Sequence, residues 1–366
     1  MKKIKVLQVI PALTLGGISS VVMNWYRHLD ASKYQFDFIS FNDGPLREEI
    51  TALGGVIHII PTIKQQPLQH LKALNKIISS EVSYDVVHVH NSFKNGILLW
   101  FAKYRGVNVR VCHSHTGGVE NKLLLPLMGL LKAIVTRASN VHLACGEKAG
   151  KFLYGNAPFK VINNAISVAR YLVKSADNIA IKKQFSLPLD KKLVLHVGRF
   201  SVVKNHQFLL QLAQQNNLDS AIHFICVGEG PLKVSFAKQI QDANVQARFT
   251  LLSATPEIPH LLQIADGFIM PSLFEGISVA LLEAQAAALP CLISDTIAKE
   301  SDMGLALISF LALGEVSSWV EQLNQLRAIA RSNEQITAAF FEKGFSTDGV
   351  LQQLTEIYQI REPVCQ

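Results

Sequence analysis

Asp266-Gly-Phe-Ile-Met-Pro271-Ser-Leu-Phe-Glu275-Gly276-Ile277-Ser278-Val279-Ala-Leu-Leu-Glu283-Ala is the stretch that decides how this 366-residue chain is read. The apolar run through Met270 predicts a buried strand that stops at Pro271, since proline cannot donate to a sheet ladder. A short turn carries Glu275 and Gly276, and a helix is expected from about Ser278. Serine favours the N-cap position, and Val279, Leu282, Ala286 and Leu289 give the helix an apolar face. Its first N–H groups would lie beyond the carboxyl end of a parallel strand, where open α/β sheets bind ligands, and a helix start favours anions. Glu275 and Glu283 stand eight residues apart beside that start. Carboxylates accept hydrogen bonds from hydroxyls, so a ligand with both a phosphate and sugar hydroxyls suits the whole constellation.

The rest of the chain alternates strand and helix. Lys5–Ile10, Phe36–Phe41, Val56–Ile60, Asp85–His90, Val109–His113 and Asn140–Cys145 read as strands, with helical stretches such as Leu68–Ser80 and Lys122–Ala138 between them. The second half repeats the plan with Lys192–Gly198, Ile222–Val227, Arg248–Leu252, Pro290–Asp295 and Ala306–Phe310. That alternation predicts doubly wound parallel sheets. The length suits two domains. Composition shifts near Ile166, which divides the chain into 1–166 and 167–346, with 347–366 expected to return to the first domain.

Three further segments carry chemistry. Gly16-Gly17 turns the first strand into a helix, where a side-chain-free backbone can approach a ligand. Arg199 and Lys204, five apart across a strand-to-helix turn, can aim at one anion, the first as a planar fork and the second as a compact charge that opens the helix. His113-Ser114-His115-Thr-Gly117-Gly118 leaves a strand for a glycine-rich loop. A zinc reading of this cluster finds no second group at suitable spacing to complete four ligands, and backbone-paired histidines are the plain alternative.

Glu-x7-Glu after a strand ending in Pro-Ser, with Gly198-Arg199 … Lys204-Asn205-His206, resembles the signature of the retaining, nucleotide-sugar-dependent glycosyltransferases of family 4, which have the GT-B fold. The resemblance covers nearly the whole chain. It implies two Rossmann-like domains facing a central cleft, with a C-terminal helix crossing back to the first. It also implies that Arg199 and Lys204 clamp the donor diphosphate, that Gly16 and Gly17 approach it, and that Glu283 holds ribose hydroxyls. Glu275 would hold the outer hydroxyls of the sugar, helped by the N–H groups of Gly276, Ile277 and Ser278. His115 would face the transferred sugar, with His90 at the cleft lip. The family usually has Leu-Gly where this chain has Leu252-Ser253, and glycine where it has Ala165.

The expected activity is transfer of a sugar from a nucleotide-diphosphate donor, with UDP expected, to a polyprenyl-diphosphate-linked saccharide in surface polysaccharide synthesis (capsule, exopolysaccharide or O-antigen). No cofactor and no metal are expected, because no Asp-x-Asp triplet offers a site and the two cations can neutralise the leaving phosphate. A sugar-nucleotide epimerase and an inactive glycosyltransferase-like binding subunit share the two-domain plan. The basic residues are dispersed, which argues against nucleic acid.

The formal charge of +7 suits anionic partners, the membrane surface among them. No apolar run reaches the ~18 residues a span requires, and the apolar start reads as a first strand instead of a leader. Five scattered cysteines suggest reduced core residues of a cytosolic protein. A cytoplasmic enzyme, peripheral on the inner face of the plasma membrane, is expected. Leu123–Val135, with Lys122, Lys132 and Arg137 around it, is the candidate contact, or else a buried helix.

Overall fold

The structure is a computed structural model that describes residues 3–14, 17–79, 83–90, 96–116, 125–173 and 177–360. The chain forms two compact units, residues 1–165 with 347–366, and residues 166–346.

The first unit is built on strands β1 (Ile4–Ile10), β2 (Tyr34–Ser40), β3 (Ile57–Ile59), β4 (Val86–Val89), β5 (Val109–Ser114), β6 (Val141–Ala144) and β7 (Lys160–Val161), in the order β3-β2-β1-β4-β5-β6-β7. All pairs are parallel, with Gln8 opposite His88 across β1 and β4, and His113 opposite Leu143 across β5 and β6. The second unit has β8 (Lys192–Val197), β9 (Ile222–Val227), β10 (Phe249–Leu252), β11 (Gly267–Met270), β12 (Cys291–Ser294) and β13 (Ile308–Leu311), again all parallel, in the order β10-β9-β8-β11-β12-β13. The predicted strands are all present, shifted by a residue or two at their ends.

Burial on both faces explains why these strands read as unbroken apolar runs. Val194 joins a core cluster with Phe208 and Trp319, while its neighbours Leu193 and Leu195 join another with Leu262 and Leu281 on the opposite face. The order reverses between β1 and β4 in one unit and between β8 and β11 in the other. Loops at the carboxyl ends of such neighbouring strands form the crevice where open sheets hold ligands.

Three expectations change in detail. The helix after β11 runs Val279–Ala286 and is buried on more than one face: Leu282 and Ala286 enter one core, Leu281 and Ala284 another. Its apolar residues therefore fill two cores, so a single-faced reading undercounts them. The composition shift after Ile166 leads into a polar helix, Asn178–Gln184, capped by the Asp177 side chain accepting from the Ala180 N–H. The C-terminal helix is Thr347–Tyr358 and packs on Gly17–His28 within the first unit. Asn24 donates to Thr347 Oγ1 at 2.8 Å there.

Candidate active site

In the second unit the carboxyl ends of β8 and β11, neighbours at the switch point, bring the two signatures together. Residues 202–204 form one 3-10 turn, and Asn205 closes it in the left-handed region at φ 54°. Asparagine tolerates that backbone better than most residues. The Asn205 side chain donates to the Pro271 carbonyl at 3.0 Å, and the Leu273 N–H donates to the Val203 carbonyl at 2.8 Å. Lys204 thus ends the turn instead of opening the helix, which starts only at His206.

So placed, Lys204 Nζ meets Glu275 Oε2 at 2.5 Å, with side chains only 16% and 24% exposed. Gly198 leaves room for the lysine stem, to which a Cβ there would come as near as 3.2 Å. Gly228 is more tightly constrained, at φ 154°, where a methyl would collide with the Gly198 carbonyl oxygen. The loops after β8 and β9 therefore pack backbone to backbone.

The 271–278 loop is strapped from its other side. Ser294 and Thr296 hydroxyls donate to the Ser272 carbonyl at 2.5 and 2.9 Å, Ala298 N–H to the Glu275 carbonyl at 3.2 Å, and Ser301 to the Gly276 carbonyl at 3.2 Å. Ser278 has the extended backbone of an N-cap, yet its hydroxyl makes no capping bond. Among the described residues no side chain closes that first turn, and its N–H groups keep their capacity for an anion.

Glu283 projects from the same helix and accepts from the Tyr171 hydroxyl at 2.7 Å. Burial pushes its carboxyl up to about 7, against the pull of the Tyr171 hydrogen bond and the Arg170 charge. Arg199 is exposed and has no hydrogen bond or ion pair among the described residues. The two cations thus differ: one is held by a carboxylate and the other extends to solvent.

In the first unit, Gly17 opens the helix Gly17–His28 with φ 54° and is exposed, while Gly16 lies outside the described residues. His115 follows β5 and sits half-buried, with Nε2 at 3.0 Å from Nδ1 of His90. Burial pushes its imidazole down to about 3.

Residues 15–170 match the family described as Glycosyltransferase Family 4, and residues 177–302 the one described as Glycosyl transferases group 1. EpsF of Bacillus subtilis (strain 168), named as a glycosyltransferase, is 34% identical across 97% of this chain and 96% of its own. The chain belongs to the family 4 glycosyltransferases. An Escherichia coli relative named UDP-Gal:alpha-D-GlcNAc-diphosphoundecaprenol alpha-1,3-galactosyltransferase is 29% identical over 80% of each chain. Anabaena Alr3699/HepE, solved with UDP and glucose, superposes with a TM-score of 0.76 at 17% identity, covering 96% of this chain and 98% of its own. WaaG, a glycosyltransferase of lipopolysaccharide biosynthesis, does so at 0.65 and 14%, over 97% and 99%. These likenesses show the GT-B architecture, two Rossmann-like parallel sheets with their helices.

Some features of this family 4 enzyme carry no motif in the sequence. Lys233 reaches Glu229 at 3.1 Å, Ser253 Oγ at 3.2 Å and the Leu252 carbonyl at 3.2 Å, so the departure at Ser253 is built into a polar cluster at the ends of β9 and β10. Tyr171, the partner of Glu283, lies more than a hundred positions away from it. The histidine expectation also changes. His88 and His90 join His113, their ring nitrogens within 4.8 Å of one another, a group that spacing within 110–118 alone does not reveal. Strand register brings them together: alternate residues of β4 and β5 point to one face.

The helix Leu125–Ala138 buries Met128, Val135 and Ala138 in the core, leaves Leu130 and Arg137 exposed, and spends Lys132 on the Phe152 carbonyl and ring. Lys122 lies outside the described residues. A more exposed apolar surface is found on the adjoining helix Gly96–Tyr104, where Ile97, Trp100 and Tyr104 share one face at 39%, 44% and 85% exposure. Among the described residues no helix is long and apolar enough to cross a membrane.

Proposed function

We propose that this glycosyltransferase moves a sugar from a UDP-sugar onto an undecaprenyl-diphosphate-linked saccharide in surface polysaccharide synthesis, with retention of configuration and without a metal. The Lys204–Glu275 pair, joined to the uncapped start of the helix Val279–Ala286, is the observation that carries this reading. A cation and helix N–H groups suit a diphosphate, and two carboxylates suit hydroxyls of ribose and sugar. The E. coli relative's name and the UDP complex of Alr3699/HepE support the choice of donor and acceptor class.

In this scheme Lys204 and Arg199 take the charge that develops on the β-phosphate as the anomeric bond breaks. Glu275 orients the sugar and loses part of its bond to Lys204 as the phosphate arrives. Glu283 holds the ribose, Gly16 and Gly17 approach the diphosphate, and His115 meets the transferred sugar. The departing phosphate oxygen helps to take the acceptor proton, which delivers the acceptor to the same face of the ring.

The test is a transfer assay with a panel of UDP-sugars and an undecaprenyl-diphosphate-linked N-acetylhexosamine acceptor. One donor is expected to give product, and EDTA is expected to leave the rate unchanged. Donor isomerisation without transfer, or complete loss in EDTA restored only by Mg²⁺ or Mn²⁺, would overturn the assignment.

A lipid-linked acceptor calls for contact with the cytoplasmic membrane face. Ile97, Trp100 and Tyr104, with the exposed Leu130 and Arg137 on the neighbouring helix, combine aromatic and apolar area with a cation, as interfacial segments do. Cosedimentation with phosphatidylglycerol vesicles at low salt is expected, weakening as salt screens the charge. The Trp100→Glu and Tyr104→Glu double variant is expected to stay in the supernatant. Equal binding by that variant would remove this surface from the account.

A further inference from the structure

A chain of hydrogen bonds runs through the first unit from beneath β5 to His115. His113 and His88 meet at 3.3 Å (Nδ1 to Nε2), and His88 Nδ1 meets the Tyr358 hydroxyl at 2.7 Å. The Gln8 amide donates to that hydroxyl at 3.3 Å, and Gln8 Oε1 faces His90 Nε2 at 2.8 Å. His90 Nδ1 completes the chain with His115 Nε2 at 3.0 Å. Trp25 stacks over His88 and His113 and seals the group from solvent. Burial, then mutual repulsion of the rings, keeps His88, His90 and His113 well below the usual imidazole range, so each is neutral and carries one proton.

With one proton per ring, the orientation of the Gln8 amide sets the polarity of the chain toward His115. Its NH₂ donates to the Tyr358 hydroxyl, which turns the amide oxygen, able only to accept, toward His90. His90 must therefore donate from Nε2 and accept at Nδ1, which leaves Nε2 of His115 as the donor.

We propose that Gln8 and His90 are positioning residues that lock His115 in the Nε2–H tautomer, so that its Nδ1 presents a lone pair to a hydroxyl of the transferred sugar. His115 Nδ1 has no partner among the described residues and is absent from the buried unpaired atoms, so it opens to the surface. A site that accepts from a substrate hydroxyl rejects the deoxy analogue far more strongly than a merely apolar one. The functional half of this inference rests on the placement of His115 at the sugar; the tautomer does not.

The experiment is long-range ¹H–¹⁵N correlation on histidine-labelled protein at pH 7.5, with the His115 signals identified by their loss in His115→Gln. The wild type is expected to show protonated Nε2 and bare Nδ1 at His115. Gln8→Met, close in volume, is expected to give a mixture of tautomers. Its kcat is expected to fall roughly tenfold, the worth of one ordinary hydrogen bond, while UDP affinity stays within about twofold, inside the usual spread of such measurements. A protonated Nδ1 in the wild type, or an unchanged tautomer in Gln8→Met, would overturn the relay. Undiminished transfer by His115→Ala would instead remove His115 from the sugar and leave the tautomer result standing.

Discussion

Lys204→Ala is expected to lower kcat/KM by about 10²–10³, the usual cost of removing one preorganised charge-stabilising donor. Two consequences of the same substitution add up. The diphosphate loses its compact cation, and Glu275, partnered at 2.5 Å, is left as an uncompensated and largely buried carboxylate that repels the incoming phosphate. Lys204→Arg is expected to recover little, because a longer side chain with a planar guanidinium does not place a compact charge where Nζ meets the largely buried Glu275. Arg199→Ala should be milder, about tenfold, since that side chain is exposed and acts through solvent-screened charge. Transfer kinetics alongside thermal melts check the order. Rates within about threefold of wild type in a folded Lys204→Ala protein, less than half the smallest single-donor cost, would show that the cation does not serve the reaction.

Acid is expected to unfold the first unit well before carboxylate protonation alone would. His88, His90 and His113 have no exposed surface, and all are held neutral by burial. Their folded values lie below the unfolded value of about 6.5. Above that pH both states are neutral and the histidines contribute no pH dependence. As pH falls below it the unfolded chain takes up protons that the folded one refuses, so stability drops by about 1.4 kcal/mol per pH unit for each ring, or roughly 4 for the three. Against a typical 5–15 kcal/mol, the unit should lose its structure near pH 4–5. Trp25, stacked on two of these rings, reports the loss in near-ultraviolet circular dichroism. Replacing His113 by Phe should flatten the slope. An intact near-ultraviolet spectrum at pH 4 would contradict the burial of neutral rings.

Much of this is legible in the chain. Parallel strands buried on both faces leave unbroken apolar runs, and the residues that end them, Pro271 and Gly198, mark where loops begin. Arg199, Lys204 and Glu275 are visible because each lies within a few residues of a strand end, and Glu283 because it follows Glu275 by eight positions on the helix after the same strand, so local spacing conveys their common direction. What spacing does not convey is register. Lys204 reads as aimed at an anion, and its closure onto Glu275 depends on the neighbour relation of β8 and β11. The partners of Gln8, His88, His90, Tyr171 and Tyr358 stay hidden for the same reason: they come from other strands or from a distant helix. Lys132 reads as a surface cation, but its amino group lies over the ring of Phe152 and donates to the carbonyl of the same residue, twenty positions on.

That the second unit binds a nucleotide sugar through Lys204 and Glu283 is tested most directly by titrating UDP-glucose calorimetrically between pH 6 and 8, a ligand whose diphosphate ester does not itself titrate there. Burial pushes Glu283 up to about 7, and only its carboxylate accepts from both ribose hydroxyls. Affinity should therefore be level above pH 7.5 and fall by up to about tenfold per unit below 7, one proton being taken up for each ligand lost. Glu283→Gln should bind more weakly at high pH and show no dependence across the range. A pH-independent wild type, or a Glu283→Gln variant that titrates as the wild type does, would contradict the account.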